Sequence, residues 1–163
     1  TFEANATIKA VSYARQTGTM CLADDSGLVV DALGGAPGVI SSHYSTNGAE
    51  DGRSRAERDA ANNARLLREL DGVPAERRTA RFVCVMVLAD ANGDVLATGQ
   101  GAFEGRIGEQ PRGSNGFGYD PLFLVAPDFD RTSAELSPDE KNLISHRARA
   151  AKDLAEAIVH LQR

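Results

Sequence analysis

The chain has 163 residues, of which 42% are hydrophobic and 25% are charged, and these values exclude a disordered tail and a collagen-like repeat. Its 18 Lys and Arg residues against 23 Asp and Glu residues give a net charge of −5, which argues against binding to a nucleic acid backbone. No apolar run approaches the ~20 residues of a membrane span, so we expect neither a spanning helix nor a signal peptide.

The two cysteines lie in apolar stretches without a CxxC spacing or a neighbouring histidine. Cys21 and Cys84 are therefore predicted to be buried free thiols. Such thiols are typical of a reducing compartment, so the predicted location is the cytoplasm.

The N-terminal third predicts a helix followed by strands. Residues 1–18 predict a helix that Thr1 caps and Gly18 ends. A short strand is predicted over residues 20–23, so that the segment DDSG follows its end. A second apolar segment (residues 28–33) then runs into a tight glycine-rich loop.

The middle of the chain predicts a helix and a covered sheet. The helix spans residues 54–70, with Gly72 as its C-terminal stop. Residues 82–89 (FVCVMVLA) are apolar without alternation, which predicts a central strand covered on both faces. Asn92-Gly93 predicts a hairpin into a strand over residues 95–103. Edge protection is predicted for the arginines around the central strand's start, Arg77, Arg78 and Arg81.

The C-terminal part predicts a loop, a short strand and two helices. The glycine-rich loop spans residues 108–118, and the strand spans residues 122–124. Ser137, with Pro138 and Glu140 after it, predicts a helix start. Ser145 is predicted to cap a last helix that runs to about residue 161. The whole chain, residues 1–163, predicts one mixed α/β domain.

The acidic segment DDSG is the first candidate site. A carboxylate of Asp24 or Asp25 at a strand end could hold Mg²⁺, activate a water molecule, or do both. Adjacent strand residues point to opposite faces, so only one of the two is expected to face a given pocket. The alternative is an Asx turn in which both acids cap backbone amides.

The loop PRGSNGFGYDP (residues 111–121) is the second candidate site. Phe117 beside glycines is suited to stacking on a flat base, and Asp120 could accept hydrogen bonds from ring or sugar donors. The alternative is a turn whose Phe117 folds back onto the core. The predicted element after the loop is a short strand and not a helix, so the loop is neither a dinucleotide fingerprint nor a P-loop.

The third candidate combines Lys141-Asn142 with Ser145-His146-Arg147. If Ser145 caps the last helix, His146 and Arg147 lie in its first turn, where cations oppose the helix dipole. Backbone amides and a guanidinium at that place could receive anionic or keto oxygens. The alternative is a solvated helix start. Lys9, on the first helix, is by its type an ordinary solvated lysine.

Five motifs occur in order along the chain: TFEANAxxKA, ADDSGLxVDALGGAPG, RFVCVMVLA, PRGxxGFGYDPxF and TxAELxxxxKNxxSHR. With them the chain resembles, almost end to end, the pyrophosphatase family that removes inosine, deoxyinosine and xanthosine triphosphates from the nucleotide pool. The resemblance implies an elongated, two-lobed α/β protein with a mixed sheet, flanking helices and a central cleft. It also implies a homodimer.

The activity implied by the resemblance is Mg²⁺-dependent hydrolysis of ITP, dITP and XTP to the nucleoside monophosphate and pyrophosphate. The implied partner is thus a small-molecule nucleotide, with no nucleic acid and no membrane. Two alternatives are a related pyrophosphatase that acts on pyrimidine or modified nucleotides, and a nucleotide-binding or structural domain without turnover.

The resemblance also implies roles for individual residues. Asp25 matches the general base and the carboxylate on the Mg²⁺ side, and Asp24 matches its acidic neighbour. Lys9 matches a lysine directed at the phosphates. The implied substrate-binding residues are Lys9, Ser26, Phe117, Gly118, Tyr119, Asp120, Lys141, His146 and Arg147.

The resemblance also implies how the base is selected, and the chain departs from the family's pattern in two places. Hypoxanthine and xanthine carry a keto oxygen at C6, which accepts hydrogen bonds, whereas adenine carries an amino group there. Arg147 and the backbone amides at the helix start would donate to the keto oxygen and would stay unpaired with adenine. We expect residues 1–163 to lack the family's N-terminal strand, its Ser/Thr-x-Asn-x-x-Lys phosphate loop and the following glutamate. His43 stands where an arginine is usual.

Overall fold

The computed structural model describes residues 1–161 and confirms the mixed α/β class. Its helices and strands are α1 (Phe2–Thr17), β1 (Cys21–Val30), α2 (Arg55–Glu69), β2 (Thr79–Ala89), β3 (Val95–Ile107), β4 (Phe123–Val125), α3 (Pro138–Ile144) and α4 (His146–Leu161). The strand order in the sheet is β1-β2-β3-β4. β3 and β4 pair antiparallel, with Gly105 opposite Val125. Among the described residues, no helix is both long and apolar enough to cross a membrane.

The predicted start and stop of α1 are confirmed. Thr1 Oγ1 accepts a hydrogen bond from the backbone N–H of Ala4 at 3.1 Å, and Gly18 ends the helix with φ 67°. Such a left-handed residue favours glycine because glycine has no Cβ to clash. Ala6, Ala10 and Ala14 are fully buried along one face of the helix.

α2 begins as predicted and ends slightly earlier. Ser54 forms a capping box with Glu57, and Leu66 and Leu70 are fully buried. The C-terminal cap is Leu70 and not Gly72, which lies beyond it in the turn with φ +72°.

The central strand and the hairpin are also confirmed. Every residue of β2 is buried or half-buried, as expected for a strand covered on both faces. The turn after it is closed by the N–H of Asp90, which donates to the carbonyl of Asp94 at 2.9 Å. β3 runs on to Ile107, beyond the predicted end at residue 103.

The segment DDSG does not follow a strand end, so that prediction is wrong. Residues 24–27 lie inside the continuous ten-residue strand β1. The Asx-turn alternative is wrong as well, because the carboxylates of Asp24 and Asp25 accept hydrogen bonds from side chains. Side-chain partners for both acids let the strand continue through a sequence that otherwise favours a turn.

Two predictions about single residues are wrong. Arg78 protects no edge: it is only 6% exposed, and its guanidinium donates to the carbonyl oxygens of Val73 (2.8 Å) and Leu70 (3.0 Å). It thereby satisfies backbone acceptors after α2. Cys21 is half-buried, whereas Cys84 is buried as predicted, and both are free thiols.

The chain divides into two compact units. Unit 1 comprises Thr1–Ser26, Val83–Phe103 and the described part of Ile144–Arg163, and unit 2 comprises Gly27–Phe82 and Glu104–Leu143. In unit 1, the alanines of α1 pack on Val85, Val87 and Ala89 of β2. In unit 2, the rings of Phe82 and Phe123 lie 4.5 Å apart in the core. The single domain, the elongated shape and the central cleft stay predictions.

Candidate active site

Asp25 is held by two side chains of α1. Lys9 Nζ lies 2.6 Å from Asp25 Oδ1, and Asn5 Nδ2 donates to Asp25 Oδ2 at 3.1 Å. Lys9 Nζ also donates to the backbone carbonyl of Asp24 at 3.0 Å. Asn5 and Lys9 are four residues apart, so α1 presents both on one face. The lysine is therefore not simply solvated.

Asp24 collects a second set of partners. Ser26 Oγ donates to Asp24 Oδ2 at 2.8 Å, and Arg147 Nη2 lies 3.4 Å from the same oxygen. Cys84 Sγ donates to it at 3.8 Å. Burial is the main cause that raises the pKa of the Cys84 thiol, so the thiol keeps its proton and acts as a donor. We call Asn5, Lys9, Asp24, Asp25, Ser26 and Arg147 the acidic group.

The first turn of α4 brings Arg147 to this group. Ser145 Oγ accepts from the backbone N–H of Ala148 at 3.2 Å, which confirms the predicted cap. His146 is buried, with 6% exposure. The unfavourable position of a cation at a helix N-terminus is offset by the carboxylate of Asp24. The solvated-helix alternative therefore does not describe Arg147.

Phe117 leads a second group in unit 2. Its side chain is 48% exposed and does not fold back onto the core, so that alternative is wrong. The guanidinium carbon of Arg55 lies 4.3 Å from the ring centroid, and Lys141 Nζ lies 5.2 Å from it. Asp120 is 2% exposed, and its Oδ2 accepts from Phe117 N at 2.9 Å and from Lys141 Nζ at 2.5 Å. We call Arg55, Phe117, Asp120 and Lys141 the aromatic group.

Gly116 allows the aromatic group to form. A Cβ at this position would lie 2.1 Å from Asp120 Oδ2 and 3.2 Å from Lys141 Nζ. The residue also has φ +75°. Only glycine combines this backbone conformation with so close an approach to the buried ion pair.

Gly118 and Tyr119 are fixed by hydrogen bonds inside unit 2. Gly118 N donates to Asp59 Oδ2 at 2.8 Å, and Asn63 Nδ2 donates to Gly118 O at 2.9 Å. Tyr119 is 4% exposed, its hydroxyl donates to the carbonyl of Ser41 at 2.7 Å, and burial raises its pKa. Tyr119 therefore supports the loop from inside, and its role as a substrate contact stays a prediction.

The predicted site residues thus fall into two sets. Those in unit 1 are Lys9, Asp25, Ser26, His146 and Arg147. Those in unit 2 are Phe117, Gly118, Tyr119, Asp120 and Lys141. Lys141, which the sequence associates with His146 and Arg147, instead contacts Asp120. Four further polar residues of these groups were not predicted from the sequence: Asn5, Arg55, Asp59 and Asn63. The available signal was their spacing, because Asn5 precedes Lys9 by four residues, and Arg55, Asp59 and Asn63 follow each other at the same interval.

His43, at the position of the family's usual arginine, lies in unit 2. Its Nδ1 is 2.9 Å from Ser42 Oγ, and its Nε2 is 3.1 Å from Glu50 Oε1. A basic side chain is thus retained at this position and faces an acid.

The acidic group can be tested for its fit to Mg²⁺. Magnesium prefers oxygen donors and is commonly bound by one or two carboxylates, with water and substrate phosphates completing its shell. Asp25 supplies such oxygens, whereas Asp24, as the adjacent residue of β1, is expected on the opposite face of the strand. Across residues 1–161 there is no cluster of three or more His, Cys, Asp or Glu side chains able to hold a metal ion. The residues therefore fit a metal shared with a phosphate ligand and not one held by protein alone.

Sequence comparison connects this arrangement with known proteins. The sequence model of the Ham1 family matches residues 1–157. The dITP/XTP pyrophosphatase of Bacillus licheniformis is 52% identical over 155 residues, which cover 95% of this chain and 74% of that protein. The enzyme of the same name from Nitratidesulfovibrio vulgaris is 53% identical over 156 residues, covering 96% of this chain and 73% of that protein.

Solved structures agree with the sequence match. The HAM1 protein of Coxiella burnetii is 44% identical, has a TM-score of 0.83 and covers 98% of this chain and 77% of that one. The Ham1 protein of Staphylococcus aureus is 38% identical, has a TM-score of 0.84 and covers 100% of this chain and 78% of that one. These matches confirm the resemblance found in the five motifs. Because sequence and fold agree along nearly its whole length, the chain belongs to the Ham1 family.

Proposed function

We propose that this chain hydrolyses the deaminated purine nucleotides dITP, XTP and ITP to the nucleoside monophosphate and pyrophosphate, with Mg²⁺ as cofactor. The chain is a nucleoside-triphosphate pyrophosphatase, because relatives of that activity match it over most of their length. The observation that carries the proposal is the carboxylate of Asp25 held between Lys9 and Asn5.

Asp25 is the group best placed to handle a proton. Its carboxylate lies 2.6 Å from the ammonium of Lys9, and it can accept a proton from the attacking water. The side chain of Asp25 is 14% exposed and that of Lys9 is 46% exposed. Lys9 can therefore also donate to a phosphate oxygen. When bound, Mg²⁺ would neutralise and orient the phosphates.

The aromatic group is suited to the base. The half-exposed ring of Phe117 offers a surface for stacking, and Lys141 beside it is a hydrogen-bond donor. The resemblance implies a further donor to the C6 keto oxygen, the guanidinium of Arg147. A donor that adenine leaves unpaired costs about 1–3 kcal/mol, which favours keto bases.

Two alternatives are weaker. A binding domain without turnover is not favoured, because the similar proteins are named pyrophosphatases and the acidic group retains a carboxylate suited to hydrolysis. Action on pyrimidine nucleotides would appear as hydrolysis of dCTP and dTTP. Homodimer formation and a cytoplasmic location rest on the resemblance and the free thiols, and they stay predictions.

A substrate panel tests the proposal. The protein is incubated with Mg²⁺ and each of dITP, XTP, ITP, dATP, dGTP, dCTP and dTTP, and pyrophosphate and monophosphate are measured. We expect kcat/KM for the deaminated purines to exceed that for dATP by about tenfold or more per discriminating contact. Equal rates for all seven, or release of orthophosphate, would contradict the proposal.

A further inference from the structure

One face of α2 contacts the loop that carries Phe117. Arg55, Asp59 and Asn63 follow each other at intervals of four residues, so they share that face. We infer that Asp59 and Asn63 are positioning residues: they fix the Gly118 peptide units so that the adjacent Phe117 is held ready for a nucleotide base. This inference rests on the proposed function, in which Phe117 stacks on the base.

Both backbone polar groups of Gly118 are bonded to this one helix. Its N–H donates to Asp59 Oδ2 at 2.8 Å, and its carbonyl accepts from Asn63 Nδ2 at 2.9 Å. Gly118 has φ +61°, a conformation open to glycine but costly for most residues. Asp59 and Asn63 are half-buried, so water competes only partly with the two bonds. The two hydrogen bonds thus fix the backbone of Gly118, which as a glycine would otherwise be free to adopt other conformations.

Arg55 adds a third contact, at the first residue of α2. A cation at a helix N-terminus is unfavourable because it opposes the helix dipole. The guanidinium lies 4.3 Å from the ring centroid of Phe117, and the attraction to the ring offsets that cost. The helix thus contacts both the ring of Phe117 and the backbone of the next residue.

Two isosteric variants distinguish positioning from mere packing. Asp59→Asn keeps an oxygen that can accept from Gly118 N–H, so we expect KM for dITP to stay within about twofold of the wild type. Asn63→Asp puts an acceptor against the Gly118 carbonyl, and we expect KM to rise about tenfold. Because Asp25 is untouched, kcat should change much less, as for a loss of binding alone.

A control addresses the stability of the helix. Ser54→Ala removes the capping box of α2 and is expected to lower the melting temperature. The hydroxyl that it deletes bonds Glu57 at the helix start, and not the Gly118 peptide units. We expect its KM to remain that of the wild type. If KM rises in Ser54→Ala as much as in Asn63→Asp, the rise in Asn63→Asp reflects helix stability alone and the inference is overturned.

Hydrogen exchange provides a readout that does not depend on turnover. The amide of Gly118 donates to Asp59, so Asp59→Leu should speed its exchange by about tenfold or more, whereas Asp59→Asn should not. If the wild type fails to hydrolyse dITP, the proposed function is wrong, and the exchange data still report on Gly118. If the wild type is active but Asn63→Asp has the wild-type KM, the inference is wrong.

Discussion

Lys9 Nζ lies 2.6 Å from Asp25 Oδ1, although the two residues are 16 positions apart on α1 and β1. The contact places an exposed cation beside a carboxylate that is largely shielded from water. The pair thus combines a carboxylate with an ammonium donor, which are the two groups that the proposed hydrolysis uses.

The first prediction concerns Asp25→Asn. The amide cannot accept a proton from water, so we expect kcat for dITP to fall by about 10²-fold or more. The variant keeps the shape of the side chain and should retain the circular dichroism spectrum of the wild type. Asp24→Asn is the matched control, since it removes the neighbouring charge. Near-normal kcat in both variants would show that the base lies elsewhere.

The second prediction concerns Arg147→Ala. If the guanidinium donates to the C6 keto oxygen, kcat/KM should fall for ITP and barely change for ATP. A charged hydrogen bond of about 1.5–3 kcal/mol corresponds to a loss of one to two powers of ten in the ITP-to-ATP preference. Both substrates are measured on one preparation.

Lys141→Met serves as the control for base selection, because Lys141 contacts Asp120 beside Phe117. We expect Lys141→Met to weaken the binding of both nucleotides, because it leaves the buried carboxylate of Asp120 without its cation. A constant ratio in Arg147→Ala together with a reduced ratio in Lys141→Met would transfer base selection from Arg147 to Lys141.

The third prediction concerns Gly101 of β3. A Cβ there would lie 2.3 Å from the carbonyl oxygen of His146 and 2.5 Å from the backbone nitrogen of Ala150. Because both are helix backbone atoms, Gly101→Ala should displace the start of α4 and destabilise the protein by about 1–3 kcal/mol. Urea unfolding measures the loss. Gly108→Ala, whose nearest contact would be 3.5 Å, should stay close to the wild type.

The fourth prediction concerns acid stability. The hydrogen bond from Thr79 Oγ1 (2.7 Å) and the two bonds from Arg81 hold the pKa of Asp31 below its usual value. A lowered folded-state pKa stabilises the protein above the unfolded pKa of about 3.9, and this contribution is lost as the pH falls through the folded value. Because the pair is partly exposed, the contribution should be about 1 kcal/mol or less.

Urea unfolding of the wild type and Asp31→Asn from about pH 7 to pH 2 checks this. The difference in unfolding free energy should be constant above about pH 5 and shrink below the unfolded pKa. A difference that persists unchanged at the acid end would mean that Asp31 stabilises the fold other than through its charge.

The sequence by itself determined the features that depend on near neighbours. Thr1 and Gly18 bound α1, Ser54 with Glu57 starts α2, and Ser145 caps α4, because each cap is completed within a few residues. The continuous apolar run of β2 likewise identified a strand covered on both faces, because its composition is a local property of the chain. The motif loops also pointed to Asp25, Phe117 and Arg147 as site residues.

Only the tertiary structure decided which partners these residues have. Asp24 and Asp25 continue a strand, where a turn was predicted, because Lys9, Ser26 and Arg147 supply their hydrogen bonds and charges. In the sequence, Asp59 and Asn63 are ordinary polar positions of a helix. In the fold both are hydrogen-bonded to Gly118, more than 50 residues later. Arg78 is buried because the carbonyls after α2 need a donor. In each case a buried or shielded polar group must find a partner, and the folded chain alone determines which distant residue provides it.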